Sequence, residues 1–292
     1  MKKINVGIIG SGNIGCDLLV KIQKSKFLQC SLFMGRNFES GGMIFANNMG
    51  INISDQSIDA VIKKPDICDI VFDATTAKAH KKHADILKNL NKFTIDLTPS
   101  LIGKACIPVL NSEECLDVQN INMITCGGQA VIPIVHAISC IEKIKYVETV
   151  SSISAKSAGL GTRANIDEFT QTTKDSILKF SNNVKKAKSI IIINPAEPPI
   201  MMQNTVYVII DDPSNIDTIE KGLLKIENKI QEYVPKYKIK YGPIFEENRL
   251  IIIIQVIGNG DYLPPYAGNL DIITSSAVYM AEKYAKSRLR LI

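Results

Sequence analysis

The sequence predicts an α/β protein that begins with a doubly wound parallel sheet and continues into an α+β domain. Short β-branched strands alternate with helical segments to about residue 125, the order that produces a mostly parallel sheet. Beyond that point the predicted strands become longer. A chain of 292 residues is long enough for two hydrophobic cores. We expect one domain over residues 1–126, a second over 127–269, and a C-terminal helix over 270–292 that packs back on the first.

In the first half, the expected strands lie at residues 4–9, 28–34, 69–74, 93–97 and 107–110. Thr75 and Thr76 can cap the helix after the third of these strands. That helix carries His80 and His83 beside two lysines, so we expect both histidines at the surface.

In the second half, longer strands are expected at residues 146–155, 189–193, 205–210 and 250–257. Helices are expected at residues 165–180 and 215–233, and a final helix at 269–288. This order indicates an α+β domain with a sizeable mixed or antiparallel sheet.

Composition excludes several classes of protein. Apolar residues make up 46% of the chain and charged residues 22%, as in globular proteins, and no stretch is apolar enough to span a bilayer. The net charge of +5 lies in lysine-rich helices with few aromatic residues, which argues against nucleic acid as a partner. The seven cysteines show no CxxC pairs or histidines at ligand spacing. We expect reduced thiols in a cytoplasmic protein, without disulfides or a metal.

A glycine-rich turn, Gly10-Ser11-Gly12-Asn13-Ile14-Gly15, connects the first strand to a helical pattern. In a Rossmann-type domain the first glycine permits the turn, the second lets a pyrophosphate approach the backbone, and the third lets the helix pack on the strand. The turn therefore predicts a dinucleotide site. After the second strand stands Arg36 and not the acidic residue typical of NAD enzymes, so NADP stays open beside NAD, which we place slightly ahead.

Cys126 precedes a Gly127-Gly128 pair and a run that is apolar on most sides over residues 131–141. This pattern predicts an interior helix with Cys126 at its amino end. Unpaired amides and the helix dipole favour a thiolate there, the form in which cysteine reacts. We therefore expect a nucleophilic cysteine.

Motifs along nearly the whole chain resemble those of the acylating (CoA-acetylating) acetaldehyde dehydrogenase family, which is paired with 4-hydroxy-2-oxovalerate aldolase in the degradation of aromatic rings. The motifs are GSGNIG (10–15), FDAT (72–75), IDLTP (95–99), MITCGGQA (123–130), KSAG (156–159), GTRANIDEF (161–169), NPAEPP (194–199) and YAGNLDI (266–272).

The resemblance implies an enzyme that oxidises a short-chain aldehyde to acyl-CoA with NAD and coenzyme A, through a thioester on Cys126. The oxygen of the thiohemiacetal intermediate needs amide donors such as the backbone N–H groups of Cys126 and Gly127 or the Gln129 side chain. The family's cofactor-binding residues correspond to Ser11, Gly12, Asn13, Ile14, Ser157, Ala158, Gly159, Leu160, Gly161, Thr162, Arg163, Ala164, Asn165 and Asn269. The resemblance also implies that the second domain is catalytic and dimerising, that the protein is a homodimer, and that the aldolase is a partner.

Two positions depart from the family. The family's general-base aspartate, just before Thr205, is Asn204 in this chain, and an amide takes no proton. The segment between Val234 and Leu250 lacks a longer glycine-containing insertion. These departures keep two alternatives open: an acyl-CoA reductase for another acyl group, and a weakly catalytic cofactor-binding subunit.

Three further polar residues are interpreted as structural. His136 lies about three helical turns, roughly 15 Å, from Cys126, so we expect it to be packed or hydrogen-bonded elsewhere. Asp96 and Asp271 are expected to be cap or turn residues.

Overall fold

The computed structural model describes residues 2–159, 162–163, 165–212 and 214–291. The chain forms two compact units, Met1–Met123 with Ile273–Ile292 and Ile124–Ile272. The first holds a parallel sheet and the second a mixed sheet, which confirms the predicted fold class of a Rossmann-type doubly wound sheet followed by an α+β domain. Among the helices that are described, none combines the length and apolar character needed to cross a membrane.

The first unit is built on seven parallel strands. These are β1 (Ile4–Ile9), β2 (Leu28–Met34), β3 (Ile53–Ser54), β4 (Ile70–Asp73), β5 (Phe93–Asp96), β6 (Lys104–Ala105) and β7 (Asn120–Asn122). Their order is β3-β2-β1-β4-β5-β7-β6, so the chain reverses its winding between β1 and β4. In open sheets of this kind, ligands bind at the carboxyl ends of the strands beside such a reversal.

Helices cover the strands of the first unit. They are α1 (Asn13–Lys24), α2 (Gly41–Asn48), α3 (Asp59–Lys63), α4 (Ala77–Asn89) and α5 (Pro108–Leu116), with a 3₁₀ turn at Pro65–Ile67. The side chain of Thr76 caps α4 by accepting the Ala79 amide at 3.2 Å, as predicted. A strand was expected at residues 107–110, and this was wrong. Pro108 opens a helix instead, because proline fits the first helical turn, where its missing N–H costs nothing.

The second unit contains α6 (Cys126–Ser139), β8 (Ile144–Ser154), α7 (Ile166–Phe180), β9 (Ala187–Asn194), β10 (Met202–Ile210), α8 (Ile216–Gln231), β11 (Tyr237–Glu246), β12 (Arg249–Val256) and the start of α9 (Gly268–Arg288). The sheet order is β11-β12-β10-β8-β9, antiparallel except for the parallel pair β8 and β9. Helix α6 is buried on most sides, which confirms the interior helix predicted from its apolar run.

Strand β11 is absent from the sequence-based prediction. It occupies the segment between Val234 and Leu250 and pairs with β12 as an edge strand. Gly242 and Pro243 interrupt its apolar pattern where the pairing register shifts. Proline is tolerated at the edge of a sheet or at a bulge because no ladder hydrogen bond is lost there. The segment therefore forms a strand although its sequence lacks the regular alternation that predicts one.

The C-terminal part of α9 belongs to the first unit. Thr274 donates a hydrogen bond to the buried carboxylate of Asp17, which also pairs with Lys21 at 2.8 Å. Further along the helix, the ring of Tyr284 stacks on Phe93 with 3.9 Å between centroids. These contacts anchor the end of the chain against α1 and β5.

Candidate active site

The glycine turn after β1 has the geometry of a pyrophosphate cradle. Gly10 has φ +116°, and a methyl group on it would lie 2.5 Å from the Ala74 carbonyl oxygen. A methyl group on Gly15 would lie 1.9 Å from the Gly10 carbonyl oxygen, so the third glycine is required for α1 to pack on β1. Gly12 differs, because a methyl group there would meet no atom within 4 Å. The second glycine therefore faces open space, where a phosphate could approach.

The amino end of α1 leaves its first amides without a side-chain cap, since Gly12 occupies the cap position. The dipole and the free amides of such a helix end favour an anion. Helix α2 was not predicted, and it packs against the same turn. A methyl group on Gly42 would lie 2.0 Å from the Ser11 carbonyl oxygen. The hydroxyl oxygens of Ser11 and Ser40 lie 3.2 Å apart. A serine before two glycines, at 40–42, was the signal for this helix start.

A buried ionisable network lies at the carboxyl ends of β4 and β5. Asp73 Oδ2 accepts hydrogen bonds from Nδ1 of His80 at 2.8 Å and Nδ1 of His83 at 2.7 Å. His80 Nε2 lies 3.3 Å from Asp96 Oδ2. Asp96 in turn accepts from the Thr98 amide at 2.8 Å, and its other donors are the Ser100 hydroxyl and the Asn122 amide. Asp96 is thus a turn residue, as predicted, and part of a larger network.

The prediction that His80 and His83 lie at the surface was wrong. Their side chains are buried, at 0% and 8% exposure, because they share the inner face of α4 with Leu87, while Lys81 and Lys82 point outward. Among the described residues, no group of three or more His, Cys, Asp or Glu side chains is arranged to hold a metal ion. The network is therefore a hydrogen-bonded one.

Burial and hydrogen bonding shift the pKa values of this network. Burial alone would raise the pKa of Asp73, but the hydrogen bonds from His80 and His83 outweigh it and lower the pKa to about 2. Burial raises the pKa of Asp96 to about 6 against the opposing effects of His80, Ser100 and Thr98. Burial would lower the pKa of His80, yet its hydrogen bond to Asp73 and the charge of Asp96 raise it.

Cys126 is the first residue of α6, and the side chain of the preceding residue holds the helix start in place. Thr125 Oγ1 accepts the Gly128 amide at 2.8 Å and lies 2.7 Å from Thr173 Oγ1, whose hydroxyl donates to the Phe169 carbonyl at 2.8 Å. This chain of hydrogen bonds ties α7 to the start of α6. The position of Cys126 predicted from the Gly-Gly pair is confirmed.

The state of the thiol differs from the expectation based on the helix dipole. Cys126 is only 9% exposed, and burial raises its pKa to about 12, although the amides of Gly127 and Cys126 hydrogen-bond to Sγ and lower it. Desolvation of the thiolate outweighs the helix terminus. At neutral pH the resting cysteine is a thiol, so the reaction must include a step that removes its proton.

Asn204, the residue at the family's general-base position, lies on β10 directly opposite Ser151 of β8. Its side chain is 0% exposed. Within the described residues, neither its amide nitrogen nor its oxygen has a hydrogen-bond partner. Asn204 is in phase with the inward residues Val206 and Val208, and its place opposite Ser151 depends on the pairing of two strands distant in sequence.

The loop after β8 is held by its own side chains. Ser157 Oγ donates to the Ser154 carbonyl at 2.9 Å, and Arg163 donates to the carbonyls of Ala158 at 3.1 Å and Ala155 at 3.0 Å. Helix α7 starts after Asn165, which occupies the N-cap position without a side-chain capping hydrogen bond, and Asp167 and Glu168 lie in the first turn, as predicted. Of the predicted cofactor-binding residues in this loop, Leu160, Gly161 and Ala164 lie outside the described residues, whereas Gly159 and Thr162 lie within them.

The remaining predicted site residues are placed as follows. Gln129 is buried in the first turns of α6 and already engaged in a contact. Asn269 is buried at the start of α9, and its side-chain oxygen has no hydrogen-bond partner in the described part of the chain. Arg36 is exposed just after β2. His136 Nδ1 donates to the Phe180 carbonyl at 2.6 Å, which confirms its structural role.

One groove in the second unit lies away from the cysteine. It has a volume of about 680 Å³ and lies between α7 and β9, with a lining that includes Lys174, Lys185, Lys186 and Lys188. Its walls contain neither Cys126 nor Asn204.

Known structures share this fold. Aspartate semialdehyde dehydrogenase II of Vibrio cholerae, solved with ASA, aligns with a TM-score of 0.65 at 12% identity, over 98% of this chain and 99% of the other. A probable aspartate-semialdehyde dehydrogenase of Pseudomonas aeruginosa aligns with a TM-score of 0.66 at 10% identity, over 97% and 98%.

Sequence relatives are much closer. The family model "Prokaryotic acetaldehyde dehydrogenase, dimerisation" matches residues 126–264, which supports a homodimer. An acetaldehyde dehydrogenase of Pectobacterium atrosepticum is 48% identical over 290 residues, which cover 98% of this chain and 97% of the relative. One of Geobacillus stearothermophilus is 48% identical over 291 residues, which cover 99% and 98%.

A dehydrogenase family with a Rossmann-type domain implies binding of NAD or NADP. The relatives do not favour the alternatives of a reductase for another acyl group or a weakly catalytic subunit. Given 48% identity over nearly the full length of both chains, this oxidoreductase belongs to the acetaldehyde dehydrogenase family.

Proposed function

We propose that the protein oxidises acetaldehyde, or another short aldehyde, to the acyl-CoA with NAD and coenzyme A, through an acyl-thioester on Cys126. The observation that carries this proposal is the placement of Cys126 as the first residue of an interior helix, with the Gly127 amide directed at its thiol. In this assignment, Ile124–Ile272 is the catalytic and dimerising unit, and the unit of β1 to β7 binds the dinucleotide.

The first step is addition of the thiol to the aldehyde. The Sγ–C bond forms, the thiol proton is transferred to the aldehyde oxygen, and a thiohemiacetal results. Because burial raises the pKa of Cys126 to about 12, the thiol and not the thiolate predominates at pH 7. An amide oxygen such as Oδ1 of Asn204 can accept a hydrogen bond but cannot take up the proton, so this step is slower than with a carboxylate at the same place.

The dinucleotide fits the first unit. Its pyrophosphate would lie at Gly12 and the uncapped amides of α1, where a side chain is missing and an anion is favoured. We assign its binding to Gly10, Ser11, Gly12, Asn13, Ile14 and Gly15, to the loop of residues 157–165, and to Asn269, whose orphaned side-chain oxygen suits a ligand that donates a hydrogen bond. When bound, the nicotinamide supplies a hydride acceptor for the oxidation.

The second half-reaction transfers the acyl group from Cys126 to the CoA thiol and regenerates the cysteine. Water must be kept from the thioester for this transfer to succeed. The surroundings suit that need, since Cys126 is 9% exposed and Asn204 is fully buried.

Exposed Arg36 beside the end of β2 is compatible with either NAD or NADP as the cofactor, and we propose NAD.

The outer face of the second sheet supports the homodimer. On β12 the inward residues Ile252 and Ile254 are fully buried, while the outward Ile251 and Ile253 are only partly covered. An antiparallel sheet that faces water normally carries polar residues outside. We propose that this face is the dimer interface. The family resemblance further implies a cytoplasmic enzyme of aromatic hydrocarbon catabolism. It also implies 4-hydroxy-2-oxovalerate aldolase as a binding partner of the dimer.

The proposal is tested by following reduced cofactor in mixtures of acetaldehyde, CoA and NAD or NADP. We expect CoA-dependent reduction that is abolished in Cys126→Ala and retained in Cys140→Ala, the exposed cysteine at the other end of α6. Asn204→Asp should be faster by about 100-fold, because it restores a general base. Asn228→Asp makes the same change of amide to carboxylate on the exposed side of α8 and should leave the rate unchanged.

If the parent protein and Asn204→Asp are both inactive while the nicotinamide still binds, the acetaldehyde assignment fails. An unchanged rate in Asn204→Asp beside an active parent would instead show that proton removal from Cys126 does not limit the reaction.

A further inference from the structure

The first turn of α6 has few donors left for a substrate oxygen. The Gly128 amide donates to Thr125 Oγ1 at 2.8 Å, and the Gln129 amide donates to the Thr125 carbonyl at 2.9 Å. The amides of Cys126 and Gly127 are directed at the cysteine sulfur. The Gln129 side chain is already engaged in a contact, so a thiohemiacetal or thioester oxygen needs a donor from outside the helix.

Strand β8 supplies a hydroxyl at this place. Ser151 is 1% exposed and lies directly opposite Asn204 of β10, so both side chains point to the same, inner face of the sheet. In the part of the chain that is described, Ser151 Oγ has no hydrogen-bond partner. Other buried hydroxyls in the described residues also lack a partner, Thr149 among them, so what distinguishes Ser151 is its place beside the nucleophile, where a ligand could complete its hydrogen bonding.

The contact with Gly127 brings this hydroxyl to the nucleophile. A methyl group on Gly127 would lie 2.8 Å from Ser151 Oγ and 2.9 Å from the Phe169 ring. Glycine at position 127 therefore leaves room for the serine hydroxyl against the first helical turn, next to Cys126. Of the nearest atoms to that methyl position, the serine hydroxyl is polar and the Phe169 ring atoms are apolar.

We propose that Ser151 Oγ donates a hydrogen bond to the substrate oxygen of the Cys126 adduct and is a catalytic residue of this enzyme. The inference rests on the proposed function and adds to it the donor of the oxyanion site. As the Sγ–C bond forms, negative charge develops on the former carbonyl oxygen, and the serine O–H stabilises it without losing its proton. Ser151 is neutral, so it stabilises this charge without the repulsion that a carboxylate would add.

The test uses p-nitrophenyl acetate, which acylates a cysteine through a tetrahedral oxyanion and releases a coloured product without nicotinamide or CoA. At pH 9, Ser151→Ala should lower the rate constant of the burst by about 100-fold, the typical effect of losing one oxyanion donor. Thr149→Val is the matched control: Thr149 lies two residues earlier on β8, is 0% exposed, and also lacks a hydrogen-bond partner among the described residues. It should change the burst by less than about twofold.

Two further measurements separate catalysis from structure. Alkylation of Cys126 by iodoacetamide forms no oxyanion, so its rate should be the same in Ser151→Ala and the parent protein. The unfolding temperature of Ser151→Ala should not fall, because the deleted hydroxyl has no partner to lose.

The proposal is overturned if the burst is unchanged in Ser151→Ala, if alkylation falls in parallel with the burst, if Thr149→Val has an equal effect, or if the parent protein shows no burst. CoA-dependent oxidation of acetaldehyde is measured separately, so failure of the overall function is distinguishable from failure of the serine's role.

Discussion

The protein contains two buried polar regions that are built in opposite ways. In the first unit, the ionisable side chains of Asp73, His80, His83 and Asp96 all have partners, with Asp73 alone receiving two histidines and Thr75. In the second unit, Asn204 and Ser151 are equally buried, yet within the described residues their side-chain polar atoms have no partners. Both regions are removed from water, so burial alone does not distinguish them.

The difference shows what each region is for. A network in which donors and acceptors are matched stabilises the fold and fixes the loops that follow β4 and β5. Polar atoms that are buried and unmatched destabilise the folded chain, and in the described part of the chain single ones also occur at Thr98, Asn120 and Thr149. Ser151 differs from these because its hydroxyl lies against Gly127, the residue after the nucleophile. We infer that the paired region, formed by Asp73, His80, His83 and Asp96, is structural. The reaction takes place at the unpaired region, formed by Ser151 and Asn204.

The reactivity of Cys126 gives the largest effect that can test this contrast. Because burial raises its pKa to about 12, the thiolate fraction should increase tenfold with each pH unit across the accessible range. We expect the rate of iodoacetamide alkylation at Cys126, followed by mass spectrometry, to rise by about 1,000-fold from pH 7 to pH 10. Circular dichroism at each pH controls for unfolding. A plateau below pH 9 would show that the helix terminus, and not burial, controls the thiol.

The paired region should respond in stability. Asp73→Asn leaves one acceptor oxygen and adds two donors facing the Nδ1 atoms of His80 and His83. Breaking one partner of a buried charged network costs about 3 kcal/mol, or roughly 150-fold in the unfolding equilibrium. Urea unfolding at pH 7 measures this loss. Asp85→Asn on the exposed side of α4 is the control and should change stability by less than about 0.5 kcal/mol. An equal loss of stability in Asp73→Asn and Asp85→Asn would show that the paired region does not stabilise the fold.

Local sequence patterns were sufficient for the parts of the molecule that depend on neighbouring residues. The turn from β1 into α1, the cap at Thr76 and the start of α6 at Cys126 each follow from a few consecutive residues. Helical spacing was also sufficient to predict that the side chains of His80 and His83 are buried. With Leu87 they form an inward stripe at intervals of three and four residues, whereas the prediction gave more weight to the adjacent lysines.

The unpaired region could not be predicted in this way. Asn204 was identified through family resemblance, and Ser151 was missed, because their meeting depends on the register between β8 and β10. The same limit applies to the pKa of Cys126. The dipole of α6 can be inferred from the sequence, but the extent of burial that outweighs it is set by tertiary packing. The one available signal was the presence of small polar residues at inward positions of β8.

The pH dependence of stability provides the smallest and most specific test of the paired region. The folded-state pKa of Asp96 is about 6, above its ordinary value of 3.8, so the folded protein holds this proton more tightly than the unfolded chain does. Stability from this group is therefore greatest at low pH and falls as the pH rises through 6, by about 1.4 kcal/mol between pH 5 and 7.5. His80, whose pKa is raised, acts in the same direction, and its contribution is lost as the pH rises through its folded-state pKa. Asp73, with a folded-state pKa of about 2, contributes stability that is lost only below about pH 4 and is constant in this window.

Chemical unfolding at pH 5 and 7.5 should therefore show a more stable protein at pH 5, and Asp96→Asn should reduce the difference to less than half. If the difference in stability between pH 5 and 7.5 is the same in Asp96→Asn, the proton that the folded protein binds in this range is on another group. This result would then show that Asp96 is held ionised by Thr98, Ser100 and Asn122, which would make the paired region still more completely matched.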